Sequence, residues 1–220
     1  MPNVKFIGAE LTGTNQLTVA AFPSLEILRF EYMRGWEVWS TNNEVSDAVF
    51  PCLRELQIED CPKLIEVSLK TLLSVEVLRF KSMHGWQVWS TNNEVSDAVF
   101  PCLRELQIED CPKLIEVSLK TLLSVEVLYF KNMCGWKGWS TNSEVSVLPS
   151  LTELHIESCP NMNEFSPGKL PKLKTLQLKD MLGWKTWSTN DADFSFLQEL
   201  HIHNCPELID VSAEALPLDS

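Results

Sequence analysis

Seven cysteines, Cys52, Cys61, Cys102, Cys111, Cys134, Cys159 and Cys205, are the residues of this chain best equipped for chemistry. As thiolates they would hold zinc or exchange disulfides. Their number is odd and no C-x-x-C pair occurs, so neither a disulfide framework nor a zinc ribbon is indicated. Four of them open the same phrase, Cys-Pro, at Cys61, Cys111, Cys159 and Cys205. His201 and His203 form a second candidate metal pair, but no third ligand is placed beside them. Gly-Trp-x-x-Trp recurs at Trp36/Trp39, Trp86/Trp89, Trp136/Trp139 and Trp184/Trp187, the pattern of an aromatic ligand surface or of a core. No serine, cysteine or carboxylate has a partner at a spacing that suggests a nucleophile and its base. Catalysis is therefore not expected, and no metal or cofactor is expected in this chain.

The elements that must position these residues are repeats. Val38 to Leu78 is identical to Val88 to Leu128, and diverged copies continue on both sides. One half-unit reads L-x-x-L-x-I-x-x-C-P, from Leu53, Leu103, Leu151 and Leu197; the other reads [LV]-x-x-L-x-[FL]-x-x-M-x-G-W-x-x-W, from Leu25, Val75, Val125 and Leu173. The central leucines Leu28, Leu56, Leu78, Leu106, Leu128, Leu154, Leu176 and Leu200 are spaced by 22 to 28 residues, within the roughly 20 to 29 of leucine-rich repeats. The expected fold class is α/β: a leucine-rich-repeat solenoid, or horseshoe, with a concave parallel sheet of about eight short strands and mostly irregular convex loops. Pro62, Pro112, Pro160 and Pro206 lack the N–H a ladder needs, so each is expected to end its strand. "STNNEVSDAVFP" reads as a convex or flanking loop. Residues 1–220 form a single array. Met1-Pro2-Asn3-Val4 takes the register of Cys61-Pro62-Lys63-Leu64, and Ala215-Leu216-Pro217-Leu218 that of Lys169-Leu170-Pro171-Lys172. The array thus reads as truncated inside a repeat at both ends, with core exposed there.

With 220 residues, 45% apolar and a formal charge of -12, the chain is globular in composition and poorly suited to nucleic acid, which needs clustered cations. No apolar run of about 18 residues and no signal-peptide pattern is present, so no membrane span is expected. The absence of Asn-x-Ser/Thr fits a reducing, intracellular setting.

"FPSLEILRF", "FPCLRELQIEDCPKL" and "MRGWEVW" resemble the leucine-rich-repeat region of plant nucleotide-binding leucine-rich-repeat disease-resistance proteins, of the coiled-coil subclass. The resemblance covers essentially the whole chain. It implies a protein-interaction module of an intracellular immune receptor, in the cytoplasm or the nucleus. Its partners would be a pathogen effector, a guarded host protein or the receptor's own nucleotide-binding domain, against which such arrays pack in autoinhibition. No G-x-x-x-x-G-K-[ST] loop occurs, so ATP or ADP would belong to a nucleotide-binding domain that this chain does not contain. Two other readings stand beside it: a substrate adaptor of a ubiquitin ligase, which would carry an F-box upstream, and a non-functional fragment of a duplicated resistance locus.

The array assigns each candidate a place. Consecutive Cys-Pro cysteines lie two strand spacings apart, about 10 Å, too far to share a zinc with bonds near 2.3 Å, so they are expected as small buried residues whose S–H faces carbonyls. The first Trp of each pair takes the register of Leu64 and is expected in the core, with the second covering the convex flank. The outward strand positions carry the functional expectation. The middle column is Arg29, Gln57, Arg79, Gln107, Tyr129, His155, Gln177 and His201; two residues on stand Glu31, Glu59, Lys81, Glu109, Lys131, Glu157, Lys179 and His203. From Glu59 to Lys179 that second column alternates in sign, which reads as a cross-strand salt ladder. The sharper expectation is a recognition patch at Tyr129, His155, His201 and His203.

Overall fold

Each L-x-[IFL] pair becomes a five-residue strand with its two apolar side chains turned inward, the period of two that a pleated strand imposes. The structure, a computed structural model, describes residues 4–7, 22–40, 50–68, 72–89, 100–117, 122–140, 148–187 and 194–211. The chain winds as a parallel β-solenoid. Its broad sheet holds β2 (Ile27–Glu31), β4 (Glu55–Glu59), β6 (Val77–Lys81), β8 (Glu105–Glu109), β10 (Val127–Lys131), β12 (Glu153–Glu157), β14 (Thr175–Lys179) and β16 (Glu199–His203), in that order and all parallel. The register has no offset. Leu28, Leu56, Leu78, Leu106, Leu128, Leu154, Leu176 and Leu200 are all directly paired along the sheet. Inward positions of β4 to β14 are buried, whereas Leu28, Phe30 and Leu200 on the two outer strands are only partly covered.

The return segments differ from the irregular loops expected of them. They form short parallel strands on the back of the solenoid: β1 (Phe6–Ile7), β3 (Val38–Ser40), β5 (Glu66–Ser68), β7 (Val88–Trp89), β9 (Glu116–Val117), β11 (Gly138–Ser140), β13 (Glu164–Ser166), β15 (Thr186–Trp187) and β17 (Asp210–Val211). These pair as β1-β3-β5, β7-β9 and β11-β13-β15-β17. Stacking the front strands at about 4.8 Å brings the returns to the same spacing, where their N–H and C=O groups satisfy one another. Among the described residues every regular element is a strand, so the helical part of the α/β expectation is not met there. In the return from Asp60 to Glu76, the described residues hold two turns and β5, and residues 69–71 lie outside them. The segments assigned to Met1–Asn3, to Ala215–Leu218 and to most of "STNNEVSDAVFP" lie outside the described residues.

The strand stop also differs from expectation. Every broad-sheet strand ends on a left-handed residue, namely Tyr32, Asp60, Ser82, Asp110, Asn132, Ser158, Asp180 and Asn204, with φ between 51° and 57°. Most are Asp, Asn or Ser, whose short polar side chains tolerate this region best. All but Asn204, which follows the outer strand β16, extend the ladder by one bond, as when Asp60 N donates to Lys81 O at 3.1 Å and Ser82 N to Glu109 O at 3.0 Å. Coils without a proline stop at the same place, so the left-handed residue is the terminator. Pro62 and its equivalents come two residues later, inside the tight turn in which Leu64 N donates to Cys61 O.

The turns of neighbouring coils interlock. A Cβ added to Gly85 would stand 2.7 Å from Pro62 O, and one on Gly135 would stand 2.8 Å from Pro112 O; Gly183 meets Pro160 O in the same way. The glycine of Gly-Trp is thus required by the Cys-Pro turn of the coil before it, which is why the two half-units alternate.

Candidate protein-interaction face

Three of the four Cys-Pro thiols are sealed into the wall between coils, and Cys205 is partly covered. Cys61, Cys111 and Cys159 are buried, and their Sγ atoms donate to Glu59 O at 3.3 Å, Glu109 O at 3.2 Å and Glu157 O at 3.5 Å. The adjacent coils place Met33, Met83 and Met133, all buried, in the same register. Desolvation by burial pushes the Cys61 thiol up to about 11 and those of Cys111 and Cys159 up to about 12. In Cys205, near the outer strand β16, the same cause raises the pKa. A thiol held protonated is a poor nucleophile and a poor metal ligand. A thiol reagent at pH 8 should therefore label exposed Cys52, Cys102 and Cys134 in the folded chain well before Cys61, Cys111 and Cys159. Because the folded pKa values lie above that of an unfolded thiol near 8.5, this stabilisation is complete below that pH. It is lost as pH rises toward 11 to 12. Unfolding titrations at pH 8 and pH 10.5 should show that loss, and Cys61→Ala with Cys111→Ala should shrink it.

The tryptophans are core. Trp36, Trp86, Trp136 and Trp184 are buried, in the register of Leu64. The second ring is also interior in three of the pairs: Trp39, Trp139 and Trp187 are buried because they sit on back strands with the side chain turned in, not on the flank. The Trp89 side chain lies outside the described residues. Phenylalanines pack on these rings, Phe30 within its own coil and Phe165 between the rings of the coils on either side. Phe30 lies 5.0 Å from Trp36 and 5.2 Å from Trp39, and Phe165 lies 5.9 Å from Trp139 and 6.1 Å from both Trp184 and Trp187. Trp36 Nε1 and Trp184 Nε1 donate to Val38 O and Thr186 O, while buried Trp187 Nε1 has no acceptor among the described residues.

With the buried Cys-Pro cysteines and the described tryptophan rings committed to packing, the densest array of polar side chains is on the outward face of the broad sheet. Glu59, Lys81, Glu109, Lys131, Glu157 and Lys179 stand side by side in the ladder. Lys81 Nζ lies 3.8 Å from Glu59 and Lys131 Nζ lies 2.9 Å from Glu157. The hydrogen bond that Lys131 Nζ donates to the Glu157 carboxylate is the largest influence raising the Lys131 pKa. Lys179 forms no ion pair among the described residues.

A third outward column, absent from the expected site, completes the network: Ile27, Glu55, Val77, Glu105, Val127, Glu153, Thr175 and Glu199. Glu55 Oε1 receives Arg29 and Arg79, each at 3.1 Å, and Arg79 reaches on to Glu105 at 2.9 Å. The signal was present in the repeated E-L-x-I phrase, whose glutamate precedes the inward leucine and so faces outward. Gln57 donates to Glu59 at 3.3 Å. The exposed Glu31 lies on the outer strand β2.

Toward β16 the face changes character. Tyr129, His155, Gln177 and His201 occupy one row on four adjacent strands. The Tyr129 and His155 rings are 6.1 Å apart, and His155 Nδ1 lies 3.1 Å from Gln177 Oε1. His155 Nε2 is 3.6 Å from Glu153 and His201 Nε2 is 3.7 Å from Glu199. Desolvation leads the causes that raise the Tyr129 pKa, so its hydroxyl stays a donor. His203 is exposed at the sheet's edge. His201 and His203 gather no further ligands: among the described residues no group of three or more His, Cys, Asp or Glu could hold a metal. No helix among them is long and apolar enough to cross a membrane.

No family model matches the chain. A segment of 52 residues, 24% of the chain, is 42% identical to a protein of Arabidopsis thaliana named "Putative disease resistance protein". The segment spans 4% of that protein's length.

Proposed function

We propose that this solenoid is a leucine-rich-repeat interaction module of a plant intracellular immune receptor of the nucleotide-binding, coiled-coil type. The outward face of its broad sheet is the concave, partner-binding surface of a horseshoe. The observation that supports this most is the division of labour across the sheet. From β2 to β8 the outward side chains are tied together by the Arg29–Glu55–Arg79–Glu105 chain and the Glu59–Lys81 pair. From β10 to β16 they present an aromatic ring, three imidazoles, an amide and the ammonium of Lys179 on a rigid support, joined only in local pairs such as Lys131–Glu157 and His155–Glu153. The relative's name adds support for a role in defence. The partner is a protein: a pathogen effector, a guarded host protein or the receptor's own nucleotide-binding domain. ATP or ADP belongs to that domain, in the cytoplasm or the nucleus.

Tyr129→Ala combined with His155→Ala tests this reading. With the nucleotide-binding domain of the same receptor supplied separately as probe, the double variant should lose at least about tenfold in affinity, roughly 1.4 kcal/mol. Its circular dichroism and melting temperature should stay unchanged. Undiminished binding, with the fold intact, would remove this row from the interface.

A further inference from the structure

The coils enter the broad sheet through one repeated turn, and the outer corners of those turns form a rim separate from the face just described. Leu53 N donates to Phe50 O, Val75 N to Leu72 O, Leu103 N to Phe100 O, Val125 N to Leu122 O, Leu151 N to Leu148 O and Leu173 N to Leu170 O. The residue after each acceptor stands at the corner: Pro51, Leu73, Pro101, Leu123, Pro149 and Pro171. Leu73 and Leu123 are 46% and 47% exposed, large values for leucines repeated at the same place. Neighbouring turns touch, since Ser124 Oγ donates to Pro101 O at 2.6 Å. At about 4.8 Å per strand, the six corners make an apolar ridge on the order of 24 Å long.

A charge ladder runs beside the ridge. The main-chain N–H of Arg54 donates to Glu26 O, that of Glu76 to Arg54 O, that of Arg104 to Glu76 O and that of Glu126 to Arg104 O, each at 2.8 Å. Five consecutive coils therefore carry Glu26, Arg54, Glu76, Arg104 and Glu126 in register, alternating in sign. Arg104 and Glu126 approach to 3.6 Å with side chains 65% and 48% exposed, so this pair faces solvent and is free to exchange partners.

A ladder of alternating sign, reversed and set against itself, is complementary in some registers and repulsive in others. We infer that this rim is a self-association surface whose occupant is a second copy of the chain, related by a two-fold axis between the coils of Glu76 and Arg104. That axis places Glu76 against Arg104 of the second copy and Arg54 against Glu126. Each pairing occurs twice by symmetry, as an isologous interface requires. It also seats Leu73 on Pro101 and Leu123 on Pro51 of the other copy. Sliding by one coil in either direction sets Arg104 against Arg104 or Arg54 against Arg104. Sliding two coils toward the end that holds β16 sets Arg54 against Lys174, which continues the same ladder. Two coils the other way carries Leu123 past the first described turn, that of Leu25 N on Phe22 O, and so off the apolar corners. Like-charge contact and lost apolar burial select one register. The surface is independent of the outward face and of any role assigned to it.

The experiment is sedimentation equilibrium on the 220-residue chain. A monomer–dimer equilibrium that weakens with added salt is expected. Arg54→Glu with Arg104→Glu should make the chain monomeric, and so should Glu76→Arg with Glu126→Arg. An equimolar mixture of the two variants should dimerise again, because every facing pair regains opposite charge; unfolded chains could not produce that recovery. Leu73→Asn with Leu123→Asn should weaken the dimer at least tenfold with unchanged circular dichroism. A wild-type chain that stays monomeric up to its solubility limit overturns the proposal. So does a dimer that either charge variant leaves intact, or a mixture that fails to recover.

Discussion

Phe165→Ala should cost about 3–5 kcal/mol, the range for removing a fully buried aromatic ring. The ring stands on β13 in the place that Val67 holds on β5 and Val117 on β9. There it joins Trp139 to Trp184 and Trp187, which carries the contact on to Phe194 at 5.9 Å. Deleting it leaves a cavity between tryptophans that belong to different coils, and coils coupled only to their neighbours cannot close that gap without losing stacking. Phe165→Val should recover part of the loss, since the β5 and β9 coils are built around valine. Phe196→Ala is the contrast: that ring is 63% exposed, so its removal should stay within about 0.5 kcal/mol. Urea unfolding of the three variants checks this, and equal midpoints for Phe165→Ala and Phe196→Ala would refute the aromatic bridge.

Gly135→Ala should be the second severe change, at about 1–3 kcal/mol for forcing a methyl group into a filled contact. The new Cβ meets Pro112 O at 2.8 Å and Leu114 O at 2.9 Å. Both are backbone atoms of the preceding coil, so no side-chain rotation relieves them and the coils must part. Gly138, three residues on, makes the comparison sharp. Its Cβ would meet Glu164 O at 3.4 Å and otherwise ordinary contacts, and alanine in a strand removes the entropy that glycine loses on folding. Gly138→Ala should therefore be neutral or stabilising by up to about 1 kcal/mol. Paired thermal melts decide the point: if both alanines shift the melting temperature alike, the interlocking of Cys-Pro and Gly-Trp turns is not what sets the coil spacing.

Much of the outward face was legible because its residues recur at one place in every repeat. Arg29, Gln57, Arg79, Gln107, Tyr129, His155, Gln177 and His201 do form one row. The alternating Glu59-to-Lys179 column lies side by side as its spacing implied. The glutamates Glu55, Glu105, Glu153 and Glu199 were missed because they sit at the first residue of each strand, where period-two patterning gives the weakest signal. The Glu26–Arg54–Glu76–Arg104–Glu126 ladder was missed for a related reason, since each member precedes its strand. Tyr32 shows the limit of reading by residue type. Nothing in a tyrosine announces a left-handed backbone, yet it adopts φ 57° because the other strands of the broad sheet end the same way.

The amino-acid sequence alone determined that Leu56 and Ile58 face in while Gln57 and Glu59 face out, and that repeat stacks on repeat without offset. Near-identical coils of nearly equal length have one superposition that buries every leucine, so pattern and register follow together. Tertiary structure alone decided which side chains meet between coils: Gly85 against the Pro62 carbonyl, Arg79 between Glu55 and Glu105, Phe165 between two pairs of tryptophans. Those partners stand 19 to 26 residues apart along the chain. They meet because strands stack at about 4.8 Å, a distance set by the backbone that no single repeat encodes.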